Sequence, residues 1–424
     1  MRVLHVSDSD GHGGAARAAF RIHRSLVAVE QSTGVQSHML VRRSVQDDPR
    51  VFAISPTRCS EAPNRVAGRL TKAHRRLLRT ENRVLHSTAL VPTPTLRRIR
   101  EFAPDAVVLH WLGNSILSIA QVGRLSRLGI PVFWFLHDTW AFCGAEHYTH
   151  GRTDRRFIEG YRRDNQPAWE SGFDVNRATW NRKRRHWKQP LHLIAPSRWM
   201  AEVAKSSALM RSWPIDVVPN PLQVEWWSGL AREEARRQLK ISRERRIILY
   251  GAIGGEKDSR KGADLLRESL ARLSESLSRE AKANLEVLTF GGKPSMGDVA
   301  GLPVRSVGRL DDQELRLHYS AADVMVVPSR QEAFGQTASE AMCCGTPVVA
   351  FRVGGLPDLV DDGVNGRLVK PFSTEAMSEA IGWLLEDDSR REGLSRRARE
   401  SAEKWGAERV GGRLAEVLAG AAKH

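Results

Sequence analysis

Residues 328–355 have the sequence PSRQEAFGQTASEAMCCGTPVVAFRVGG, and the predicted fold rests on this stretch. The apolar run Asp323–Val327 before it predicts a buried strand of a parallel sheet. A glycine-containing turn leads into a helical segment, and Pro347–Phe351 predicts the next strand. A crossover of this kind binds ligands at the carboxyl ends of its strands. The stretch therefore predicts an α/β protein with a ligand site at this turn.

Two carboxylates, Glu332 and Glu340, flank a helix start that we expect near Gly335–Thr337. The first N–H groups of a helix have no partner within it and can donate to a phosphate or to a polyhydroxylated ligand. Carboxylates accept several hydrogen bonds, which suits the vicinal hydroxyls of a sugar or a ribose. The alternative interpretation is that both glutamates are solvated acids at a helix end.

Four motifs in and after this stretch, EAFGQTASE, EAMxxGTPVVA, GGLPDLV and DGxNG, resemble the E-x7-E region of retaining nucleotide-sugar glycosyltransferases, the family-4-like enzymes of GT-B fold. The resemblance implies an α/β chain with two Rossmann-like domains that face each other across a cleft. It also implies that Glu332 is catalytic and contacts the donor sugar, and that Glu340 holds the nucleotide ribose. The other residues of this region that it implies in binding the sugar donor are Phe334, Gly335, Gln336 and Thr337.

The composition limits the class of protein. A chain of 424 residues is long enough for two or three domains, and its four cysteines show neither a disulfide framework nor metal-ligand spacing. Because there is no signal-peptide pattern and no apolar stretch of ~18 residues, we expect a cytoplasmic protein, free or peripheral on the inner face of the membrane. The formal charge of +16 leaves nucleic acid, an anionic membrane and phosphorylated small molecules open as partners.

The amino terminus predicts the first Rossmann-like unit. An apolar strand from Arg2 is followed by the loop DSDGHGGAAR, residues 8–17, and by a helix that we expect to reach about Glu30. The loop lacks the G-x-G-x-x-G pattern of dinucleotide-binding proteins, and its D-x-D triplet, a common string by chance, does not indicate a metal site. In the family this loop lies beside the phosphates of the sugar donor, which implies that Gly13 and Gly14 bind it.

Residues 62–86 predict an amphipathic helix with a cationic flank. Its basic side chains recur at helical spacing at Arg65, Arg69, Lys72, Arg76, Arg79 and Arg83. Three interpretations are open: a surface helix that covers the core, a helix that docks on an anionic membrane through its Arg65–Arg83 face, and a nucleic-acid contact. The resemblance favours the membrane over nucleic acid, because glycan-building transferases usually act on lipid-linked acceptors.

Two further predicted strands, Ala106–Trp111 and Pro131–Asp138, each carry a histidine near the carboxyl end, His110 and His137. Such a residue is most often a capped surface histidine. At the position of His137 the family has a histidine that approaches the donor sugar, which implies a catalytic role. The following segment, HDTWAFCGAEHYTHG, resembles more narrowly the fucosyltransferase-type branch of exopolysaccharide and colanic-acid pathways, and this favours a GDP-sugar.

Residues 176–188 combine the basic run Arg182–Arg185 with Trp180 and Trp187. Interleaved aromatic and basic side chains suit an interface, a sugar-binding surface or stacking on bases. We expect an interface or an acceptor surface rather than a nucleic-acid site.

The proline-flanked segment around Asn220 predicts a linker, with the domain boundary at Leu222. The predicted domains are an acceptor domain of residues 1–222, a nucleotide-sugar domain of residues 223–402 and a C-terminal helix of residues 403–424. In the family this last helix crosses back to the first domain.

The second Rossmann-like unit begins with a strand at residues 246–251 and a glycine loop that ends in Arg260-Lys261-Gly262. Glycines that admit a ligand close to the backbone, and cations at a helix start, suit a phosphate. The resemblance implies that Lys261 is catalytic and binds the diphosphate, and that Arg309 lies near the nucleobase. The family commonly has an arginine where Ala252 stands, so that we expect Arg260 or Lys257 to supply this charge.

The predicted function is transfer of a sugar from a nucleotide diphosphate to a hydroxyl of a glycan or lipid-linked acceptor in polysaccharide biosynthesis, with retention of configuration. No metal, cofactor or nucleic acid is expected to take part. A sugar-nucleotide epimerase or phosphorylase on the same fold is one alternative. The charge of +16 keeps a basic nucleic-acid or membrane-surface binding protein open as another, although the chain has no recognisable nucleic-acid motif.

Overall fold

The computed structural model describes residues 1–54, 77–113, 116–151, 154–251, 258–292 and 297–421. The chain divides into two compact units, Met1–Pro221 with Ala407–His424, and Leu222–Gly406. The second break follows Gly406 rather than residue 402. The reason is that Leu222 N–H donates to the Trp405 carbonyl at 2.8 Å, which holds this turn in the second unit.

Each unit is built on one parallel sheet, and this confirms the predicted α/β class. In the first unit the strand order is β3 (Val51–Ala53), β2 (Gln36–Arg43), β1 (Arg2–Ser9), β5 (Ala106–Leu109), β6 (Val132–Phe135), β8 (His192–Ala195) and β9 (Ile215–Val217). In the second unit it is β12 (Val304–Gly308), β11 (Leu285–Phe290), β10 (Arg246–Gly251), β13 (Val324–Val327), β14 (Val348–Phe351) and β15 (Gly366–Val369). In both sheets the order reverses beside the first strand, β1 or β10. The crevice at the carboxyl ends of the strands at such a reversal is the usual ligand site of open α/β sheets.

The described elements of the first unit alternate strands with helices. Its strands are β1 (Arg2–Ser9), β2 (Gln36–Arg43), β3 (Val51–Ala53), β4 (Leu78–Thr80), β5 (Ala106–Leu109), β6 (Val132–Phe135), β7 (Glu170–Gly172), β8 (His192–Ala195) and β9 (Ile215–Val217). Its helices are α1 (Gly14–Ala28), α2 (Glu30–Thr33), α3 (Thr95–Phe102), α4 (Ile119–Leu125), α5 (Arg156–Glu159), α6 (Val175–His186), α7 (Arg198–Ser206) and, from the end of the chain, α16 (Ala407–Ala421).

The second unit repeats this alternation over its described residues. Its strands are β10 (Arg246–Gly251), β11 (Leu285–Phe290), β12 (Val304–Gly308), β13 (Val324–Val327), β14 (Val348–Phe351) and β15 (Gly366–Val369). Its helices are α8 (Val224–Ser228), α9 (Arg232–Gln238), α10 (Ala263–Ser276), α11 (Arg279–Ala283), α12 (Asp312–Ala321), α13 (Gln336–Cys343), α14 (Thr374–Leu385) and α15 (Asp388–Ala402).

The last helix, α16, belongs to the first unit because it packs on α1. Leu414 and Leu418 share one core cluster with Ile22 and Leu26. The contact is close, since a Cβ at Gly411 would lie 2.2 Å from the Ser25 carbonyl oxygen. A small residue at this position therefore allows the two helices to pack.

A fully buried carboxylate, Asp323, anchors the start of β13 in the second unit. It accepts the Ile247 N–H at 2.7 Å and pairs with Arg232 at 2.5 Å, Arg236 at 2.8 Å and Arg391 at 3.3 Å. A charge without water is tolerated only when partners surround it. The cluster fixes the strand whose carboxyl end carries the E-x7-E region.

The predicted cationic helix over residues 62–86 is wrong at its carboxyl end. Leu78–Thr80 forms β4, antiparallel to β7, and Leu78 is buried against Ala145 and Val175. Strand pairing and burial override helical spacing here. Arg83 is exposed after β4, whereas the other predicted cations, Arg65, Arg69, Lys72 and Arg76, lie outside the described residues. In the ranges that are described, no helix is long and apolar enough to cross a bilayer.

The predicted aromatic and basic surface at residues 176–188 is only half correct. Arg184 and Arg185 are exposed, but Trp180 and Trp187 are 6% and 5% exposed and lie in the core. The two indoles therefore pack under α6 and present no stacking surface.

Candidate functional site

Lys261 and Glu332 form the central contact of the candidate site in the second unit. Lys261 Nζ lies 2.7 Å from Glu332 Oε2, and both side chains are partly exposed. Lys261 ends a single 3-10 turn, Ser259–Lys261, directly before α10, and Glu332 follows β13. Two residues that the sequence analysis assigned to phosphate and sugar thus lie side by side.

Gly262 allows the lysine to reach this position. Its φ is +68°, and a Cβ would lie 1.9 Å from the Pro328 carbonyl oxygen. The same two segments are joined by Arg330, whose N–H donates to the Arg260 carbonyl at 2.6 Å and whose guanidinium pairs with Asp264. The R-K-G motif is therefore packed against the end of β13.

Gly354 plays the equivalent role for the glutamate. Its φ is +56°, and a Cβ would lie 2.0 Å from the Glu332 carbonyl oxygen, which accepts the Gly355 N–H at 2.9 Å. The Gly-Gly pair after β14 thus packs against the backbone of Glu332 and donates a hydrogen bond to it.

The helix start falls where the sequence analysis placed it. Gly335 precedes α13 with φ +107°, and a Cβ there would meet Leu356 at 2.8 Å. Gln336 and Thr337 form the first turn of the helix, and Phe334 is buried in the core of the unit. A helix N-terminus formed in this way presents N–H groups to an anion.

Glu340 is buried, with 3% of its surface exposed. The Tyr319 hydroxyl donates to its Oε2 at 3.0 Å, and the Tyr319 carbonyl accepts the Thr346 hydroxyl. The alternative that Glu340 is a solvated helix-end acid is therefore wrong. The sequence analysis missed Tyr319, because nothing in the spacing of two residues 21 positions apart indicates a contact.

The other predicted cations of this unit are Arg260, Arg309 and Lys257. Arg260 pairs with Asp258 at 2.5 Å. Arg309 is exposed and follows Gly308, whose carbonyl accepts the Gly291 N–H at 2.7 Å. Lys257 lies outside the described residues.

In the first unit, Gly13 and Gly14 form the turn from β1 into α1. Gly13 has φ +99° and ψ +164°, a conformation that is open to glycine almost alone. The loop is held from the side: Asp8 pairs with Arg42 at 2.6 Å, and Asp10 accepts the Val45 N–H at 2.9 Å.

Three histidines lie in a row: His5 in β1, His110 directly after β5 and His137 two residues after β6. His5 Nδ1 lies 2.8 Å from His110 Nε2, and His110 Nδ1 lies 2.9 Å from His137 Nε2. His5 and His110 are buried, whereas His137 is partly exposed. Burial lowers the pKa of His137 to about 4, although Asp138 opposes the shift, and it lowers the pKa of His5 and His110 well below 6.5.

Ser87, His147 and Asp138 are the residue types of a hydrolase triad, but their geometry does not make Ser87 a nucleophile. His147 Nε2 lies 2.8 Å from Ser87 Oγ, and His147 Nδ1 lies 2.6 Å from Asp138 Oδ2. Ser87 is fully buried and donates its proton to the Gly113 carbonyl. Burial alone would raise the pKa of Asp138, but the His147 pair outweighs it and lowers this pKa. The network therefore holds the loop after β6, and the sequence analysis missed it.

Lys183 is fully buried and holds the same loop through hydrogen bonds. Its ammonium donates to the carbonyls of Trp140, Cys143 and Gly144 and lies 3.9 Å from the centroid of the Trp140 ring. Burial lowers the pKa of Lys183 to about 7, whereas three carbonyl acceptors favour its charged form. Lys183 therefore fixes the backbone of the segment after His137 and does not belong to a basic surface.

Comparison with known families identifies the class. Two Rossmann-like sheets, the second carrying a lysine and a glutamate at its carboxyl edge, are those of a GT-B-type glycosyltransferase. Residues 12–226 match the family described as Glycosyltransferase Family 4, and residues 231–401 match Glycosyl transferases group 1. The chain belongs to Glycosyltransferase Family 4.

Curated relatives carry one recurring name. D-inositol 3-phosphate glycosyltransferase of Xylanimonas cellulosilytica is 35% identical over 225 residues, 49% of this chain and 52% of that protein. The protein of the same name from Corynebacterium aurimucosum is 36% identical over 185 residues, 41% of this chain and 42% of that protein. The chain thus spans about half the length of the curated relatives it matches. They do not confirm the narrower resemblance to the fucosyltransferase-type branch, which stays a prediction.

Solved structures confirm the predicted GT-B fold over the whole length. Sucrose-phosphate synthase from Thermosynechococcus elongatus superposes with a TM-score of 0.67 at 18% identity, covering 99% of this chain and 98% of the other. WaaG, a glycosyltransferase involved in lipopolysaccharide biosynthesis, gives a TM-score of 0.63 at 17% identity, with 99% and 100% coverage. Anabaena HepE in complex with UDP-glucose gives 0.64 at 16% identity, with the same coverage.

We predict that Gly354→Ala destabilises the protein more than Gly363→Ala. Both glycines have positive φ, +56° and +76°, so both changes carry the roughly 1–2 kcal/mol cost of a left-handed alanine. Only the methyl at position 354 meets backbone atoms, whereas nothing lies within 4 Å of a Cβ at Gly363. Urea denaturation should show an additional loss of about 1–3 kcal/mol at position 354. Equal losses would contradict the tight contact with Glu332.

Proposed function

We propose that this protein is a retaining glycosyltransferase that moves a sugar from a nucleotide diphosphate to a hydroxyl group. The observation that carries the proposal is the Lys261–Glu332 pair, 2.7 Å apart beside the start of α13. A cation, a helix N-terminus and a carboxylate together match a ligand that carries both phosphate and sugar hydroxyls.

Each residue of this site has one task in the proposed reaction. Lys261 and the N–H groups at the start of α13 take up the charge of the departing diphosphate. Glu332 accepts hydrogen bonds from hydroxyls of the transferred sugar. Glu340, supported by the Tyr319 hydroxyl, accepts hydrogen bonds from the ribose.

The proposed mechanism needs no protein nucleophile. The departing phosphate oxygen takes the proton of the acceptor hydroxyl on the face from which it leaves, so that the new bond forms with retained configuration. Positioning of the two substrates and stabilisation of the leaving charge then supply the rate. We propose that no metal is required, since Lys261 and the helix N-terminus neutralise the diphosphate.

Two acceptor classes are compatible with the proposal. The sequence analysis favours a GDP-sugar and a glycan or lipid-linked acceptor of polysaccharide biosynthesis. The curated relatives are named for D-inositol 3-phosphate, which adds a small phosphorylated polyol as a second class. Docking of residues 65–83 on an anionic membrane, which would accompany a lipid-linked acceptor, stays a prediction.

A screen of GDP- and UDP-sugars tests the function. A ligand that binds the folded state raises the melting temperature, so the correct nucleotide sugar should raise it beyond the free nucleotide. Incubation with inositol phosphate or with lipid-linked glycans should then yield a glycoside with the anomeric configuration of the sugar donor, also in the presence of EDTA. An epimerised nucleotide sugar, or release of a sugar phosphate, would indicate the epimerase or phosphorylase instead.

Lys261→Ala should lower turnover at least ~100-fold, because loss of a group aimed at developing charge typically costs a few kcal/mol. Lys282→Ala is the matched control, since this lysine lies just before the amino end of β11, whereas Lys261 lies beyond the carboxyl ends of the strands of the same sheet. Steady-state kinetics and circular dichroism of both variants make the comparison. Near-normal turnover of a folded Lys261→Ala protein would refute the diphosphate assignment.

The two glutamates should separate kinetically. Glu340→Gln should weaken free nucleotide and nucleotide sugar alike, because ribose contacts are equally strong in the ground and transition states. Glu332→Gln should spare free nucleotide and instead lower turnover and the discrimination among sugars. His137→Ala should behave like Glu332→Gln. Calorimetry with free nucleotide beside kinetics decides the matter, and the opposite pattern would reverse the placement of the sugar donor.

A further inference from the structure

The row His5–His110–His137 sets which nitrogen of His137 is free to meet a ligand. His110 links the other two rings through both of its nitrogens, at 2.8 and 2.9 Å. Neighbouring rings lie edge to edge, inclined by 25° and 26° to each other, with centroids 5.1 and 5.2 Å apart. Nε2 of His137 is thus occupied by His110, and only Nδ1 remains for another partner.

Counting protons leaves two arrangements of the row. All three rings are neutral at pH 7, because burial lowers their pKa values, and a neutral imidazole carries one N–H and one acceptor nitrogen. Each of the two contacts needs one N–H. Either every ring is protonated on Nδ1 and donates toward His137, or every ring is protonated on Nε2 and donates toward His5.

His5 distinguishes between these arrangements. Its Nε2 is buried and has no hydrogen-bond partner within the described part of the chain. Protonation on Nε2 would leave a buried N–H without an acceptor, whereas protonation on Nδ1 leaves only a bare acceptor nitrogen. Buried N–H groups without a partner are the rarer of the two in proteins.

We propose that His5 and His110 are positioning residues that hold His137 as the neutral Nδ1–H tautomer. This inference rests on the proposed glycosyl transfer and deepens it. His137 then meets the substrate as a hydrogen-bond donor through Nδ1, directed to a sugar or phosphate oxygen. It does not serve as the base for the acceptor hydroxyl, since its other nitrogen already accepts a hydrogen bond from His110.

The tautomer can be measured on the ligand-free wild-type protein. Long-range proton–nitrogen correlation spectra of protein with ¹⁵N-labelled histidine show which ring nitrogen carries the proton, and the His137→Gln variant assigns the signal. We expect a proton on Nδ1 and none on Nε2 at pH 7. A proton on Nε2, or on both nitrogens, would overturn the proposal. Because this measurement needs no substrate, its outcome is independent of whether the protein transfers sugars.

Two substitutions of His110 separate positioning from packing. His110→Phe keeps a ring but cannot donate to His137, so the Nδ1–H signal should be lost or mixed. We expect kcat to fall at least ~10-fold with KM nearly unchanged, because the missing contact is strongest in the transition state. In His110→Asn the amide nitrogen takes the place of Nδ1 and should restore both the tautomer and part of kcat.

The matched control is His192→Asn, which removes a histidine of β8 that pairs with Asp216 at 2.8 Å, outside the row. It should leave the tautomer of His137 and kcat unchanged. If His110→Phe keeps the Nδ1–H signal, the row does not set the tautomer. If wild type shows the tautomer but transfers no sugar from any nucleotide sugar tested, the proposed function fails while the role of the row stands.

Discussion

The ion pair between Lys261 and Glu332 is the contact on which the candidate site depends. Its partners are 71 residues apart in the sequence. They meet because the backbone packs so closely at two glycines that a Cβ at either one would clash. Gly262 lies against the Pro328 carbonyl, and Gly354 lies against the Glu332 carbonyl. The glycines of the R-K-G and G-G-L-P motifs thus allow these two tight contacts because they carry no Cβ.

The pair matters for preorganisation more than for stability. Its side chains are 24% and 12% exposed, and partly exposed ion pairs contribute little to the free energy of unfolding. In the proposed function it holds a cation and a carboxylate in place before a ligand arrives, so that less reorganisation is needed during the reaction. The buried Asp323 and its arginines fix the position of β13 immediately upstream.

In the first unit, too, buried side chains support a residue that is partly exposed. Ser87, His147 and Lys183 hold the loop after β6 through hydrogen bonds that leave these side chains buried. His5 and His110 support His137 from the other side, so that one partly exposed imidazole rests on a fully buried network. Buried polar groups are tolerated only when they have hydrogen-bond partners. In the proposed arrangement these partners also orient the partly exposed ring of His137.

Local patterns were enough to predict the α/β class, the strands around β13 and the start of α13. Apolar runs, glycines and helix starts are properties of short segments, and the motif residues Lys261, Glu332 and Glu340 fall within them. Those patterns failed at Leu78–Thr80, where strand pairing overrode helical spacing, and at Lys183, where a basic residue in a charged run proved to be buried. They also gave no indication of Tyr319 beside Glu340 or of His5 beside His110. The His5–His110 contact depends on the order and register of strands that are far apart in the chain, and a difference of one residue in register would direct each side chain to the opposite face of the sheet. The Tyr319–Glu340 contact depends on how the helices α12 and α13 pack against each other.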